Sequence, residues 1–316
     1  MTDLVVGVDG GGSKTHVIIA NGNGDQLGEA TGPGSATGPG RAGESAGVIA
    51  SLVRHALVSA GCENARARML VAGVAGVGRL GEQRALLAAL ENAELSEDVI
   101  VQGDGEIAFT DAFGGGPGIM LTAGTGSIAH GRGPSPSGAF ARCGGWGPAF
   151  GDEGSGAWIG RRALGVVAAA ADGREPATAL TGALLTALQV NEPSELIPWG
   201  IAATPKDLAA LAPVVFATAA TGDIRANALV GLAVEELVLH IRALARQLFG
   251  DDRDTVPVAF AGGLLPKGSL LRKRLELRLK SAVPGAQVRS GDIIGARGAV
   301  KAAVAALAGT EKVRAL

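Results

Sequence analysis

Short apolar runs of strand length alternate with helical patterns in the first third of the chain. The runs Leu4–Val8, His16–Ala20 and Asp25–Thr31 are separated by glycine-containing turns, which predicts three consecutive strands. The following pattern predicts helices over 44–60, 81–93 and 107–112, and strands over 68–74 and 99–102. The order β-β-β-α-β-α-β-α indicates a mixed sheet with helices on its faces.

A second hairpin of the same kind begins at Gly118, with strands predicted over 119–122 and 128–131. The rest of the chain predicts helices over 157–171, 177–188, 196–202, 205–220, 224–248, 269–281 and 296–308, and strands over 256–261 and 287–289. Because a repeated hairpin indicates a repeated unit, we expect two related domains that face one another across a cleft. One domain is residues 1–116, joined by the C-terminal helix 295–316, and the other is residues 117–294.

The turn between the first two strands has the composition of a phosphate site. Asp9 ends the first strand, and three glycines, Ser13, Lys14 and Thr15 follow it. Such a hairpin tip offers backbone N–H groups, hydroxyls and one ammonium to an anion. It is not a P-loop, because GxxxxGK[ST] is absent and β-branched residues follow where a helix would start. Alternatively, the glycines only supply positive φ angles. Asp9 is placed for a hydrated divalent cation.

The stretch GPGSATGPGRAGES at residues 32–45 has a glycine or proline at almost every second or third position. This composition predicts a mobile loop, because neither a helix nor a central strand tolerates it. The loop is either a plain connector or a cover over a substrate, and the residues alone favour neither interpretation.

Composition and charge exclude several classes of protein. A length of 316 residues exceeds what one core usually organises, and 47% hydrophobic with 18% charged residues is typical of a globular chain. The net charge of −2 argues against a nucleic-acid partner. No uncharged apolar stretch reaches roughly 18 residues, and the N-terminus enters a strand with no cleavage site. We therefore expect no membrane partner and a cytoplasmic location.

The cysteines and histidines do not form a recognisable metal motif. The two cysteines, Cys62 and Cys143, are too few for a disulfide framework or a four-thiolate site. The four histidines have no ligand spacing, so each is expected to be a surface or partly buried residue.

Three residues outside the glycine turns are candidates for chemistry. Asp104 follows a predicted strand, so its carboxylate could accept the proton of an attacking hydroxyl, or it could cap the helix at 107–112. Trp146 lies between Gly145 and Gly147, which let the backbone approach a small polar ligand; a plain core tryptophan is the alternative. Asp152 could accept hydrogen bonds from two hydroxyls of such a ligand.

Taken together, these segments resemble the sugar-kinase, Hsp70 and actin superfamily, and within it the N-acetylglucosamine kinase family, which is related to the BadF/BcrA-type ATPases. The residues that carry the resemblance are GVDGGGSKT at 7–15, GTGS at 124–127, CGGWG at 143–147, GDEGS at 151–155 and AGGL at 261–264. The resemblance covers nearly the whole chain. Each glycine motif is weak by itself, but five of them occur in the family's order.

The resemblance implies an α/β fold of two ribonuclease H-like domains of the actin-like ATPase type, with ATP and Mg²⁺ as cofactors. It implies nucleotide contacts from Gly11, Gly12, Ser13, Lys14, Thr15, Gly124, Thr125, Gly126, Ala219, Gly262 and Gly263. It implies sugar contacts from Ser35, Thr37, Asp104, Gly145, Trp146, Gly147 and Asp152. Asp104 corresponds to the family's catalytic aspartate, and Asp9 lies near the metal.

The activity that the resemblance implies is phosphorylation of an amino sugar, first of all N-acetylglucosamine on its 6-hydroxyl, by a homodimer. The alternatives are glucosamine or N-acetylmuramate as acceptor, and a sensor that binds ATP without catalysis. Family members commonly carry an asparagine in the loop after the third strand, where Ser35-Ala36-Thr37 stands here, so the acceptor stays open. The chain lacks the cysteine clusters of repressor-type sugar kinases and of dehydratase activators.

Overall fold

The computed structural model describes residues 3–135, 138, 140–250 and 255–314. The chain divides into two compact units, the first formed by Met1–Gly116 with Gly291–Leu316 and the second by Pro117–Ser290. Among the described residues, no helix combines the length and apolar character that a membrane crossing requires.

The first unit is built on a five-stranded mixed sheet. Its strands are β1 (Leu4–Gly10), β2 (Lys14–Asn21), β3 (Gln26–Pro33), β4 (Ala67–Val74) and β5 (Ser96–Gly103), and its first helices are α1 (Ala42–Ser59), α2 (Leu80–Glu91) and α3 (Asp104–Phe113). The strand order is β3-β2-β1-β4-β5. β2 is antiparallel to both β1 and β3, whereas β1, β4 and β5 run parallel. The sheet that the sequence predicted is confirmed.

The second unit repeats this arrangement. Its strands are β6 (Gly118–Ala123), β7 (Ser127–Arg132), β8 (Ala141–Gly144), β9 (Val256–Ala261) and β10 (Ala286–Val288). The order β10-β9-β6-β7-β8 again joins two antiparallel pairs to two parallel pairs. Its helices are α4 (Gly156–Ala171), α5 (Ala179–Leu188), α6 (Leu196–Ala202), α7 (Pro205–Ala209), α8 (Ala212–Ala220), α9 (Ile224–Phe249) and α10 (Leu270–Ala282). The last helix, α11 (Gly295–Arg314), belongs to the first unit.

Two elements differ from the sequence prediction. The helix predicted over 205–220 is two helices, α7 and α8, because Pro213 lies at the start of α8 and has no N–H to continue the helical bonds. The strand β8 was not predicted. It is only four residues long and lies at the sheet edge, in a segment whose glycines hide the β-type pattern.

The core of the first unit lies on both faces of its sheet. Val6 and Val8 pack in a cluster with residues of α1 and α2, whereas Val5 packs in another with Ile107 of α3 and residues of α11. This alternation follows from the period of two along a strand. Gly7 faces α11, where a Cβ would overlap the carbonyl oxygen of Ala296. The close approach places α11 directly on β1.

A buried carboxylate fixes α3 to α11. Asp111 of α3 accepts hydrogen bonds from the backbone N–H of Ile294, from Arg297 and from Lys301, at 2.6–2.9 Å. Its side chain is 1% exposed. Burial alone would raise the pKa of Asp111, but the hydrogen bonds from Arg297, Ile294 and Lys301 outweigh it and lower the pKa below the usual aspartate value.

We expect this carboxylate to make the stability of the first unit depend on acidity. Because its folded-state pKa is lowered, its contribution is present above the ordinary aspartate pKa of about 4 and is lost as pH falls through the folded value. Asp111→Asn should therefore lower the melting temperature at neutral pH, and the gap to wild type should narrow toward pH 3. Calorimetry from pH 7 to pH 3 tests this, and a gap that stays constant or widens in acid would contradict it.

Candidate functional site

The β1–β2 turn presents its tip to solvent and buries its base. Gly12, Ser13 and Lys14 are exposed, and the backbone N–H of Gly11 donates to the carbonyl oxygen of Lys14 at 3.0 Å. Thr15 is fully buried, and its hydroxyl donates to that of Ser35 at 2.8 Å. The exposed tip can therefore meet an anion, whereas a contact from the Thr15 hydroxyl stays a prediction that requires this bond to open.

The loop after β3 is bonded to the same turn. The backbone N–H groups of Ser35 and Ala36 both donate to the carbonyl oxygen of Gly11 at 3.1 Å, and that of Thr37 donates to Ala75 at 2.9 Å. The prediction of a mobile loop did not anticipate these bonds. Ser35 is 2% exposed and faces Thr15, so its predicted sugar contact also stays untested. The loop is therefore hydrogen-bonded to the turn and to the residue that follows β4.

Two buried polar atoms beside the end of β4 have no hydrogen-bond partner within the described ranges. They are Oγ1 of Thr37, which the sequence predicted as a sugar contact, and Oε1 of Gln102. Gln102 pairs with Gly73 of β4 in register, and Gly73 pairs with Asp9 on its other side. The sequence reasoning missed Gln102, although its position two residues before Asp104 at a strand end could have indicated it. Buried groups of this kind require a partner.

Two carboxylates come together at the carboxyl end of the parallel strands. Burial raises the pKa of Asp9, and the negative charge of Asp104 raises it further. At Gly295 a Cβ would overlap the Asp9 carboxylate, so the first residue of α11 has to be small. Asp104 is exposed in the first turn of α3, and its carboxylate accepts a bond from the Gly105 N–H at 3.0 Å.

The alternative that Asp104 is a helix cap is wrong. The N-cap of α3 is Gly103, and its backbone N–H donates to Glu106 at 3.3 Å. Asp104 is the first helical residue, and its carboxylate accepts the N–H of the next residue, Gly105. The Asp104 carboxylate is exposed and lies beside the half-buried Asp9.

The β6–β7 turn of the second unit is held by the start of α4. The backbone N–H groups of Gly156 and Ala157 donate to the carbonyl oxygens of Gly124 and Thr125, at 2.8 and 3.1 Å. Thr125 is exposed at the tip. This tip is the structural counterpart of Gly11–Lys14, because β6 and β7 occupy the same places in their sheet as β1 and β2.

Asp152 lies directly against this turn. It is 8% exposed, has a positive φ of 57°, and its Oδ2 would lie 2.7 Å from a Cβ built on Gly126. Burial raises the pKa of Asp152, while backbone hydrogen bonds from Gly147 and Ser127 oppose that rise. The Ser127 hydroxyl also donates to the carbonyl oxygen of Glu153 at 2.7 Å. The β6–β7 turn, which is predicted to bind phosphate, therefore packs directly against Asp152, which is predicted to bind the sugar.

Trp146 is not a core residue, so that alternative is wrong. Its side chain is 63% exposed, and the Arg142 guanidinium lies 4.9 Å from its ring centre. Gly145 and Gly147 on either side have positive φ angles of 68° and 90°, which favour glycine. An exposed indole on a glycine-rich turn is suited to contact a ligand.

The predicted adenosine residues lie beside the same hairpin or nearby in the second unit. At Gly262 a Cβ would overlap the carbonyl oxygen of Ala123, which also accepts the Leu264 N–H at 3.0 Å, while Gly263 is exposed. Ala219, near the end of α8, is 4% exposed, and its carbonyl accepts the Asn227 amide at 2.8 Å. Gly262 and Gly263 thus adjoin the turn, whereas Ala219 contributes a buried methyl group farther along the unit.

Two sheets of the same topology, each carrying a glycine turn at its first hairpin, define the class of two-domain ATPases with the actin-like fold. The ROK hexokinase of Thermus thermophilus has this fold too, with a TM-score of 0.57 at 17% identity over 98% of this chain and 99% of that chain.

Comparison with known proteins is more specific. The BadF/BadG/BcrA/BcrD ATPase family matches residues 6–306. An N-acetylmuramic acid/N-acetylglucosamine kinase of Clostridium acetobutylicum is 31% identical over 265 residues, which are 83% of this chain and 85% of that protein. An N-acetyl-D-glucosamine kinase of Dictyostelium discoideum is 28% identical over 302 residues, covering 90% and 93%.

A solved structure is also similar over nearly its whole length. It is a protein of Chromobacterium violaceum, provisionally named N-acetylglucosamine kinase, with a TM-score of 0.76 at 32% identity over 95% of this chain and 98% of that chain. The chain belongs to the BadF/BadG/BcrA/BcrD ATPase family.

Proposed function

We propose that this protein is an ATP-dependent kinase of amino sugars that phosphorylates N-acetylglucosamine on its 6-hydroxyl. The observation that carries the proposal is the exposed Asp104 carboxylate beside the half-buried Asp9, at the strand ends next to a glycine turn. Kinases of N-acetylglucosamine among the relatives support the acceptor class.

In the proposed reaction, Asp104 accepts the proton of the sugar hydroxyl as that oxygen attacks the terminal phosphorus of ATP, and ADP leaves. The backbone N–H groups of the Gly11–Lys14 turn and of Gly124–Gly126 bind phosphate oxygens. Gly262, Gly263 and Ala219 contact the adenosine. Since phosphoryl transfer depends mainly on position and charge, these groups contribute by holding the phosphates in place.

The residues present fit a magnesium ion. Mg²⁺ keeps several water ligands and takes one or two carboxylates, and Asp9 offers one of them. The pKa of Asp9 is raised first by burial and then by the negative charge of Asp104, and a divalent cation bound at Asp9 would offset both effects. Within the described ranges, no group of three or more His, Cys, Asp or Glu side chains is placed to hold a metal. Asp9 would hold the ion, which neutralises charge on the phosphates when bound.

The sugar contacts in this proposal use different kinds of chemical group. Thr37 offers its unpartnered hydroxyl, Trp146 its exposed ring, Gly145 and Gly147 their backbone, and Asp152 its carboxylate. N-acetylmuramate is the second candidate acceptor, because the name of the Clostridium relative includes both sugars. Glucosamine is the third.

An ADP-release assay across N-acetylglucosamine, N-acetylmuramate, glucosamine, N-acetylmannosamine and glucose tests the activity. We expect release to be fastest with N-acetylglucosamine, and to stop when EDTA replaces Mg²⁺. A preference for N-acetylmuramate or glucosamine would change the acceptor. ATP binding without sugar-stimulated release would overturn the kinase and favour the non-catalytic sensor.

Gly126→Ala should weaken sugar binding although Gly126 lies in a nucleotide turn. The new Cβ would meet the buried Asp152 carboxylate at 2.7 Å, and this carboxylate has to move away from its sugar-binding position. We expect KM for the sugar to rise roughly 10-fold, about 1.4 kcal/mol in binding, with a smaller change in KM for ATP. The control is Gly182→Ala, because a Cβ built on Gly182 meets no atom within 4 Å. An unchanged sugar KM would remove Asp152 from the sugar site.

Two finer expectations belong to the same proposal. The protein is a homodimer, which light scattering on the purified protein tests, and it acts in the cytoplasm, which cell fractionation tests. Neither is needed for the chemistry above.

A further inference from the structure

We infer that Asp111 is a positioning residue for this reaction, because it holds α3 so that Asp104 keeps its place beside Asp9. The inference rests on the proposed function. Asp111 lies seven residues after Asp104 on the same ten-residue helix, which at 1.5 Å per residue is a separation of roughly 10 Å. It therefore cannot act on substrate itself, and any effect on turnover has to pass through the helix.

The contacts of Asp111 are directional. Its Oδ1 accepts from Arg297 Nε at 2.7 Å and from Lys301 Nζ at 2.8 Å, and its Oδ2 accepts from Arg297 Nη2 at 2.6 Å and from the Ile294 N–H at 2.9 Å. Lys301 also donates to the backbone carbonyl of Asp111 at 3.0 Å. A bidentate arginine with two further donors fixes both the distance and the angle between helices, which apolar packing alone does not.

The partner helix, α11, contacts the Asp9 carboxylate and also the helix that carries Asp104. Gly298 lies against the carbonyl oxygen of Ile107 in α3, and Gly295 lies against the Asp9 carboxylate of β1. The backbone N–H of Ile294, one residue before α11, is itself a donor to Asp111. α11 therefore contacts both the strand that carries Asp9 and the helix that carries Asp104. The hydrogen bonds of Asp111 fix the position of α3 against α11.

A small displacement of α3 relative to α11 should lower kcat more than it weakens the binding of sugar or ATP. Rotation or tilt of α3 about Asp111 displaces Asp104 at the far end of the helix, and displacements of about 1 Å can cost roughly 10²-fold in rate. The nucleotide turns and Asp152 are held by other bonds, namely those of Gly11, Gly124 and Ser127. Turnover should therefore change while the Michaelis constants change little.

The test compares the variants Asp111→Asn and Arg297→Lys with wild type. The control is Arg278→Gln, which removes an exposed ion pair with Glu235. We expect kcat to fall about 10-fold in Asp111→Asn and less in Arg297→Lys, which keeps the charge but loses the bidentate geometry. KM for sugar and ATP should stay within about 3-fold. The control should retain its kcat. If Asp111→Asn does not fold, Arg297→Lys carries the test.

A double variant separates positioning from general loss of structure. If Asp111 acts through Asp104, then adding Asp111→Asn to Asp104→Asn should lower kcat by less than about 2-fold, because the group being positioned is already gone. A further 10-fold drop, or a wild-type kcat in folded Asp111→Asn and Arg297→Lys, would overturn the inference. Absence of sugar-stimulated ADP release in wild type would instead overturn the proposed function, and this inference with it.

Discussion

Asp104→Asn should lower the turnover of sugar phosphorylation by roughly 10²-fold or more, because the amide keeps the shape of the side chain but cannot take up the hydroxyl proton. The affinities for sugar and ATP should change far less. Helix α3 should also be preserved, since Gly103 and Glu106, not Asp104, form its cap. Steady-state ADP release, with circular dichroism on the same samples, measures both effects.

Glu106→Gln is the matched control for this variant. It makes the same carboxylate-to-amide change two residues away in the same exposed first turn, and glutamine can still accept the bond from the Gly103 N–H. We expect its turnover to be near wild type. A normal turnover number for Asp104→Asn, or an equal loss in both variants, would remove Asp104 from the role of general base.

Gly298→Ala should destabilise the first unit by roughly 3 kcal/mol or more, because its Cβ would overlap the carbonyl oxygen of Ile107 in α3. The same Cβ would lie 2.9 Å from the backbone nitrogen of Asp111. Both opposing atoms belong to the main chain of a helix, so no side-chain rotation can relieve the contact. Urea unfolding, followed by far-ultraviolet circular dichroism, measures the loss in the free energy of unfolding.

The control is Gly309→Ala in the same helix. A Cβ there meets nothing within 4 Å, so replacing glycine in a helix interior should stabilise by up to about 1 kcal/mol. The same substitution in one helix is thus expected to have opposite signs at the two positions. Equal effects would show that α11 does not pack on α3 as closely as described.

The strands that build both sheets could be read from the sequence because their apolar runs are short and bounded by glycine turns. β4 shows this: its run at 68–74 is buried along almost its whole length. The sequence prediction missed two features for local reasons. β8 has only four residues in a glycine-rich edge segment, and the break between α7 and α8 depends on where Pro213 falls within a helical pattern.

Part of the candidate site could be predicted from the sequence in the same way. Asp9, Asp104 and the two glycine turns lie at strand ends, where a chain that alternates strands and helices places polar groups. The bond between Thr15 and Ser35 depends on how a loop folds back on a hairpin. The burial of Gln102 Oε1, which has no hydrogen-bond partner among the described residues, depends on packing around β5. No spacing along the chain encodes such a contact.

The sequence by itself determined the repeated mixed sheet, the position of its glycine turns and the acidic residues at its strand ends, since these follow from local periodicity and turn chemistry. Only the tertiary structure decided which of those groups are buried, exposed or paired. Asp152 against Gly126, Trp146 in solvent and Asp111 held by Arg297 join residues that are distant along the chain. Their burial and charge interactions arise from packing in three dimensions, which a local pattern does not specify.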